Sequence, residues 1–413
     1  MNPERTPARQ HTVRQHNLAL VLRQVAAGGP LSRARIASAT GLTKATVSSL
    51  VDDLVHAGLL TELGPEARGV VGRPGSDLEL NRSRYAGLGL EVNVDYVAVC
   101  VADLAGDARH LRILAGDNRR HSPNQVLARA VRIARTAMAA AGAAGLEVVG
   151  LAIALPGLVE AGEGRLRVAP NLGWTDVPVV DYLASRIEAG LLPIMVDNEA
   201  NLAALGELWF GGHGDLASFV HVSGEIGVGG GIVIDRELFR GVQGFAGELG
   251  HVTVQADGPP CRCGARGCLE QVAGQEAILR AAGLHAEAGT RGGQPAGSVA
   301  ELLSRARAGE PRVLEAIEAA GRALGIAVAA AVNLVAPEAV VLGGLYTVLE
   351  PWLRGPLTAE LQRRAIGLRW SPVRVLASRL GPEAAVRGAA GAVVREVLSS
   401  PGAVLKTLTP TGS

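Results

Sequence analysis

The sequence predicts a mainly α-helical winged helix-turn-helix domain at the N-terminus, followed by a larger α/β part with a structural zinc site. Three observations lead to this prediction. Short helical segments joined by tight turns open the chain, apolar strand segments alternate with helices through the rest of it, and three of its four cysteines fall within eight positions. At 413 residues, of which 48% are hydrophobic, the chain is long enough for two or three domains with large cores.

The spacing of apolar residues near the N-terminus is typical of a helix-turn-helix. A first helix ends at the Gly-Gly-Pro sequence 28–30, Ser32 caps a second one, and the turn at 40–42 leads into a third helix that begins at Thr43. An apolar stripe on the third helix leaves its other face to small hydroxyl side chains and a lysine, which suit a DNA major groove. The predicted DNA contacts on this helix are Thr43, Lys44, Thr46, Ser48 and Ser49. The alternative is a three-helix bundle used for packing alone.

Two strand-like segments, 60–63 and 77–80, enclose a loop over 64–75 that has the shape of a wing. Arg73 lies in this loop between glycines, on a thin stretch of backbone that is able to enter a DNA minor groove. Residues 1–84 carry eleven Arg or Lys against seven Asp or Glu, a net charge of +4, whereas the remainder of the chain carries −3. We therefore expect this N-terminal domain to bind DNA.

The cysteine-rich stretch predicts a metal site. His251, Cys261, Cys263 and Cys268 offer one imidazole and three thiolates, and Zn²⁺ binds four such ligands tetrahedrally. Because no ligand position stays open, the zinc is expected to be structural. The alternative is a cluster of ordinary buried thiols. A disulfide is disfavoured, because three cysteines pair badly and Cys100 lies in an apolar, strand-like run.

The C-terminal part alternates apolar strands with helices. A helix is predicted from Ser122 to about Ala141. The predicted strands cover residues 86–92, 97–102, 109–114, 147–155, 192–196, 218–223, 230–234 and 339–342. Strands that end in glycines or polar residues, separated by helices, indicate an α/β fold with a ligand cleft at the strand ends.

The order of the motifs resembles the ROK family, named for its repressors, unassigned reading frames and sugar kinases. The shared features are the Glu-x-Gly-His lead-in to the cysteines, the Asn-x-Ala-Asn turn at 198–201, the segment 170–174 and the winged helix. The resemblance covers almost the whole chain. It implies a two-lobed, actin-like sugar kinase fold that binds a hexose or similar sugar between its lobes. Members with an N-terminal winged helix are transcription regulators, commonly of sugar uptake and catabolism.

Domain boundaries are predicted on this basis. The expected parts are a winged helix-turn-helix domain at 1–82, a first lobe at 83–200 with a C-terminal helix 382–399 packed back on it, a second lobe with the zinc site at 201–381, and a tail at 400–413. No secretory signal is visible, and the longest apolar run, 323–332, is too short for a membrane span. We expect a soluble, cytoplasmic protein.

The resemblance also implies which residues contact a sugar. They are Asn171, Asn198, Glu199, Glu248, His251 and Glu270. The residue types agree with this role, because carboxylates and amides accept and donate hydrogen bonds to a ring of hydroxyls. His251 is expected to place one ring nitrogen on zinc and the other toward the sugar. The alternative for the two asparagines is turn formation, to which Asn is prone.

Comparison with the family's kinases predicts a loss of phosphoryl transfer. Those kinases carry Asp-x-Gly-Gly-Thr where this chain reads Glu91 to Asp95, and Gly-Thr-Gly where it has Glu225 and Ile226. Their catalytic Asp is replaced by Glu199, which is one methylene longer and misplaced for in-line transfer. We therefore expect a sensor with no ATP requirement. The rival is an active ATP-dependent sugar kinase with a DNA-binding appendage.

The predicted function is a sugar-responsive repressor that binds operator DNA as a homodimer or homotetramer. Sugar binding would close the two lobes and change the placement of the winged helices. The opposite sign, an activator, remains open, as does a regulator that answers to a partner protein. The residues do not discriminate among xylose, glucose, N-acetylglucosamine and their phosphorylated forms.

Overall fold

A computed structural model describes residues 10–64, 76–187, 192–284, 299–402 and 404. Its N-terminal part consists of three helices and a small sheet in the order β1-β3-β2. The helices are α1 (Gln10–Gly28), α2 (Arg33–Thr40) and α3 (Lys44–His56), and the strands are β1 (Leu31–Ser32), β2 (Leu60–Glu62) and β3 (Asp77–Leu80). The helices agree with the predicted helix-turn-helix, and β2 and β3 flank the loop predicted to be a wing, whose residues 65–75 lie outside the described part of the chain. Arg73 lies outside the described residues.

Helix caps fix the turns of this domain. The Ser32 hydroxyl accepts a hydrogen bond from the Arg35 N–H and begins α2, and the Thr43 hydroxyl accepts one from the Thr46 N–H and begins α3. Gly41 ends α2 with φ at 71°, a left-handed conformation that glycine adopts without strain. Helix α3 buries its apolar stripe, which consists of Val47, Leu50, Val51 and Leu54.

A five-stranded sheet in the order β11-β7-β4-β5-β6 forms the first lobe. Its strands are β4 (Tyr85–Val92), β5 (Tyr96–Asp103), β6 (Ala108–Ala115), β7 (Glu147–Leu155) and β11 (Ile194–Asn198). Strands β4, β7 and β11 run parallel, so their carboxyl ends meet at one edge. Further elements of this lobe are α4 (Pro123–Ala143), β8 (Leu158–Glu160), β9 (Arg165–Ala169), β10 (Trp174–Pro178) and α5 (Val179–Ala184).

The second lobe repeats this architecture with a sheet in the order β14-β13-β12-β15-β16. Its strands are β12 (Phe219–Gly224), β13 (Val228–Ile234), β14 (Glu237–Leu238), β15 (Ala339–Gly344) and β16 (Arg374–Ala377). Its helices are α6 (Glu199–Phe210), α7 (Glu270–Ala273), α8 (Gln275–Ala281), α9 (Val299–Arg307), α10 (Pro311–Val335) and α11 (Leu345–Arg364). The apolar run at 323–332 lies inside α10 and packs in the core. None of the helices in the described ranges is long and apolar enough to cross a membrane.

The last helix, α12 (Ala384–Ser399), connects the parts of the molecule. It packs along α6 and against β4, β5 and β7. The two helices approach so closely that a Cβ added at Gly388 would lie 1.8 Å from the carbonyl oxygen of Leu202. Toward its carboxyl end, Val397 and Leu398 join the hydrophobic core of the winged helix domain. Helix α12 therefore touches the first sheet, the helix that begins the second lobe, and the N-terminal domain.

Candidate functional site

One cavity, with about 620 Å³ of empty space, lies between the lobes at the carboxyl ends of the parallel strands. The side chains that line it include all six predicted sugar contacts, namely Asn171, Asn198, Glu199, Glu248, His251 and Glu270. They come from five separate places: the loop before β10, the end of β11, the start of α6, the 3₁₀ turn after β14 and the start of α7. The fold therefore brings together residues that are up to 99 positions apart.

Most of the hydrogen bonds that the Asn198 side chain can form are made within the protein. Its side-chain oxygen accepts from the N–H groups of Ala200 and Asn201 at 2.8 and 3.2 Å and caps α6. Its side-chain nitrogen donates to the Gly157 carbonyl at 2.9 Å. The turn-forming role weighed as the alternative is thus present. Because an amide NH₂ has two hydrogens, one donor remains for a ligand.

The Asp197 carboxylate, which sequence reasoning missed, braces the same turn. One of its oxygens accepts from the Asn198 N–H at 2.8 Å and from the Asn201 amide at 3.1 Å. The other lies 2.7 Å from the Arg240 guanidinium, which comes from the loop that precedes Glu248. This ion pair links the two segments that carry Asn198 and Glu248. An arginine far along the chain gives no local signal of such a role.

Asn171 and Glu270 meet across the cavity. The Asn171 side-chain nitrogen donates to Glu270 Oε2 at 3.1 Å, and its oxygen lies 3.4 Å from Arg262 Nη1. Gly227 makes room for this pair, since a Cβ there would lie 1.9 Å from Glu270 Oε2. A side chain at position 227 would therefore displace the carboxylate from the cavity wall.

His251 faces in two directions. Its Nδ1 lies 3.8 Å from the sulfur of Cys261, and its Nε2 lies 3.9 Å from Oε2 of Glu248. One ring nitrogen is therefore directed to the cysteine cluster and the other to a carboxylate of the cavity wall. Burial raises the pKa of Glu248, with Glu270 adding to the effect and His251 opposing it.

The ligand atoms of His251, Cys261, Cys263 and Cys268 all lie within 4.8 Å of one another. The sulfurs of Cys263 and Cys268 are 3.8 Å apart. Two thiolates on a tetrahedral zinc ion with bonds of about 2.3 Å are separated by about 3.8 Å, so the geometry fits this metal. Burial and the neighbouring thiols raise the pKa of Cys268 to about 12. A bound cation would favour the thiolate form of Cys268.

A second, smaller cavity of about 260 Å³ adjoins the first and holds three carboxyl groups. Glu91, Glu199 and Glu225 line it. Burial raises the pKa of Glu91 to about 7, that of Glu225 to about 8, and that of Glu199 well above its ordinary value. Within the described part of the chain, Oε2 of Glu91 and of Glu199 have no hydrogen-bond partner. The sequence shows a glutamate at three separate positions of the kinase motifs. The structure shows that these three side chains line the same cavity.

The helix predicted to contact DNA uses two of its five polar residues for its own start. The Thr43 hydroxyl caps α3, and it also shares a hydrogen bond of 2.8 Å with the Thr46 hydroxyl. Lys44 and Ser49 are exposed, and Ser48 is half-buried. The lysine and the two serines therefore have side chains that are not committed to capping.

Comparison with known proteins shows which family the chain belongs to. The profile of the ROK family matches residues 87–396, and that of the MarR family matches residues 19–69. The chain belongs to the ROK family. This ROK protein is 34% identical to a putative xylose repressor of Caldicellulosiruptor, over 94% of this chain and 98% of the relative. It is 29% identical to the xylose repressor of Bacillus subtilis, over 95% of this chain and 98% of the relative. A glucokinase of Streptomyces coelicolor is 33% identical over 60% of this chain.

Solved structures agree with the two-lobed, actin-like fold. A ROK family transcriptional regulator, described as a homologue of the E. coli MLC protein, superposes with a TM-score of 0.79 and 25% identity over 95% of this chain and 99% of its own. A ROK glucokinase from Streptomyces griseus, in complex with glucose and AMPPNP, superposes with a TM-score of 0.63 and 29% identity. The kinase match covers 74% of this chain and 98% of its own. The regulator thus matches nearly the whole chain, and the kinase matches a part of it.

Proposed function

We propose that this ROK protein is a sugar-responsive, DNA-binding transcriptional repressor of sugar uptake and catabolism genes. The observation that carries the proposal is that one chain joins a winged helix-turn-helix to a cavity lined by six residues suited to hydroxyl groups. Relatives named xylose repressor match this whole arrangement. The named DNA contacts are Thr43, Lys44, Thr46, Ser48 and Ser49 in the major groove and Arg73 in the minor groove.

The charge of the cavity supports an unphosphorylated sugar as the effector. Four carboxyl groups, those of Glu199, Glu225, Glu248 and Glu270, line it, and the described lining residues include no Arg or Lys. A phosphate dianion would lie among carboxyl groups, with no arginine or lysine among the described lining residues to bind it. Neutral hydroxyls find acceptors in the same groups. A neutral aldose such as xylose or glucose is therefore favoured over its phosphate.

A structural zinc ion held by His251, Cys261, Cys263 and Cys268 is part of the proposal. When bound, zinc supplies a rigid anchor for the His251 ring and lets the other ring nitrogen meet the cavity. The domain boundaries at 82, 200 and 381 divide the molecule into a DNA-binding domain and two lobes, with α12 returning to the first lobe. Two or four copies would present paired winged helices to a pseudopalindromic operator in the cytoplasm.

Sugar acts on DNA binding through the lobes. A ligand shifts an equilibrium only by its differential affinity for two states, so the closed, sugar-bound form must fit the operator worse. Phosphoryl transfer is not expected, because Asn93, Val94 and Asp95 stand where the first phosphate loop of the kinases has its glycines and threonine. Glu225 stands in the second phosphate loop, and Glu199 stands at the catalytic Asp position. The rival function, an ATP-dependent sugar kinase, rests on the partial glucokinase matches.

A thermal-shift panel followed by an operator-binding assay tests the proposal. The panel contains D-xylose, D-glucose and N-acetylglucosamine, each with its phosphate, with and without ATP and Mg²⁺. A neutral sugar at a hundred times its Kd should stabilise the folded protein by about 2.7 kcal/mol and then release the operator. Stabilisation by a sugar phosphate alone would contradict the ligand class. ATP-dependent conversion of a sugar would favour the kinase.

A further inference from the structure

A chain of polar contacts joins the two lobes and ends on Asn171, a residue of the cavity wall. Arg119, from the first lobe, places Nη1 2.6 Å from Oε1 of Glu276 on α8 of the second lobe. The other oxygen of Glu276 lies 3.9 Å from Nη2 of Arg262. Arg262 Nη1 in turn lies 3.4 Å from the side-chain oxygen of Asn171, which belongs to the first lobe. The contacts thus start and end on the first lobe and pass through the loop 261–268, which carries the three cysteines of the proposed zinc site.

We propose that Arg262 is a positioning residue for the effector: it orients the Asn171 amide over the cavity and, through Glu276 and Arg119, holds the lobes closed on the bound sugar. This inference rests on the proposed function, because it assigns Arg262 to the same sugar site. Nothing in the family's motif singles it out, since it stands between two ligand cysteines as a spacer residue.

The polarity of the Asn171 amide supports this role. Its nitrogen donates to the Glu270 carboxylate and its oxygen faces the Arg262 guanidinium, so the two neighbours of opposite charge select one of the two amide orientations. In that orientation, one N–H and one lone pair remain for sugar hydroxyls. Without the guanidinium, the oxygen loses its donor from the second lobe, and only the hydrogen bond to Glu270 orients the amide.

The backbone at Arg262 would be restrained by zinc bound to the loop 261–268. Cys261 and Cys263 flank Arg262, so binding of the metal restrains the backbone on both sides. The side chain itself is 49% exposed, and the Glu276 side chain is 25% exposed. Because solvent weakens such pairs, the expected effect is moderate: loss of the guanidinium should raise the Kd for D-xylose about three- to tenfold.

The test compares Arg262→Ala and Arg262→Lys with the control Arg266→Ala. Arg266 lies in the same loop, is exposed, and makes no side-chain polar contact within the described part of the chain. Each variant is measured for zinc content, for Kd with D-xylose by calorimetry, and for hydrogen exchange in the sugar-free protein. The exchange readout is taken at the N–H groups of Leu172 and Gly173, which donate to the carbonyls of Ala169 and Pro170.

We expect all three variants to retain stoichiometric zinc. Arg262→Ala should exchange faster at Leu172 and Gly173 and bind D-xylose more weakly, Arg262→Lys should recover part of both, and Arg266→Ala should match the wild type. In an Asn171→Ala background, Arg262→Ala should add no further loss, because the two residues act through one contact.

Three results would overturn the inference. Unchanged exchange at Leu172 and Gly173 in Arg262→Ala removes the positioning role. Faster exchange with an unchanged Kd removes its importance for the sugar, and additive losses with Asn171→Ala show that the two residues act independently. If the wild-type protein binds none of the panel sugars, the proposed function fails together with the sugar role, whereas the exchange result still reports whether Arg262 holds the loop.

Discussion

The Glu225 carboxyl group lies where burial and two neighbouring acids, Glu91 and Asp95, favour its protonated form. Its pKa rises from 4.5 to about 8, although a hydrogen bond from the Ser223 hydroxyl opposes the rise. The folded protein therefore keeps a proton that the unfolded chain releases above pH 4.5. Stability is unaffected by this group below that pH, falls as the pH rises, and stays low above about 8.

Replacing Glu225 by Gln should flatten this pH dependence. Between pH 4.5 and about 8, the melting temperature of the wild type should fall with rising pH, and that of Glu225→Gln should fall less. Glu91 and Glu199 titrate in the same space, so part of the slope remains. Glu315→Gln, which removes an exposed carboxylate from α10, serves as the control and should keep the wild-type slope. Equal slopes in wild type and Glu225→Gln would refute the prediction.

Some residues of the candidate site could be predicted from the sequence, and others could not. The six predicted sugar contacts all line the cavity, because their motifs survive in the chain and each chemistry suits a hydroxyl. The partners that orient them were not predictable, since Arg262 and Asn171 are 91 positions apart and Arg119 and Glu276 are 157 apart. Contacts of this range depend on how two lobes pack, and no local pattern encodes that packing.

At the level of elements, α3 carries the only lysine of the winged helix domain, Lys44, near its positively charged amino end. We expect Lys44→Ala to weaken operator binding about equally on all sequences and to lower the salt dependence of log Kd by about one unit, because one phosphate contact is lost. Arg322→Ala on α10 removes the same charge from the second lobe and is the control. Anisotropy titrations of labelled operator at several salt concentrations measure the Kd and its salt dependence for each variant. An unchanged salt slope would remove Lys44 from the interface.

The cysteine-rich loop 261–268, which we propose binds zinc, is a second element with a separable role. We expect Cys263→Ser to lose stoichiometric zinc and to bind D-xylose at least about tenfold more weakly, because outer partners of a metal site lose their orientation with it. The control is Cys100→Ala, which alters a buried thiol of β5 away from the loop. Elemental analysis and calorimetry provide the readouts. Full zinc content together with wild-type affinity in Cys263→Ser would show that Cys263 is not a zinc ligand and that the sugar site does not depend on it.

Element boundaries follow from local chemistry, and sequence predicts them well. Strand β7 covers the predicted residues 147–155, and α2 and α3 begin at the predicted caps. Helix α6 begins earlier than predicted, at Glu199 within the predicted turn. The reason is that the Asn198 side chain caps the helix directly. The close contact of α12 with α6 was not predictable in detail. It depends on Gly206 and Gly388 meeting, and an isolated glycine in a helical pattern does not reveal its partner.

At the scale of the whole molecule, α6 and α12 form a continuous path from the cavity to the DNA-binding domain. Helix α6 begins at Glu199 in the cavity wall, and α12 packs along it with glycines at the closest approach. The far end of α12 shares a core with the winged helix domain. Because packed cores transmit displacement, a shift of α6 on sugar binding should move the winged helix through α12.

Val397 offers a test of that path, since it is 8% exposed and belongs to the core that α12 shares with the winged helix domain. We expect Val397→Ala to keep the wild-type Kd for D-xylose while reducing the ratio of operator affinities measured without and with the sugar, because coupling free energy is lost and the cavity is untouched. Val393→Ala is the control: it removes the same two methyl groups one turn earlier, where α12 packs on the lobes instead of on the N-terminal domain. Val397→Ala with the wild-type ratio would show that the signal reaches the operator by another route.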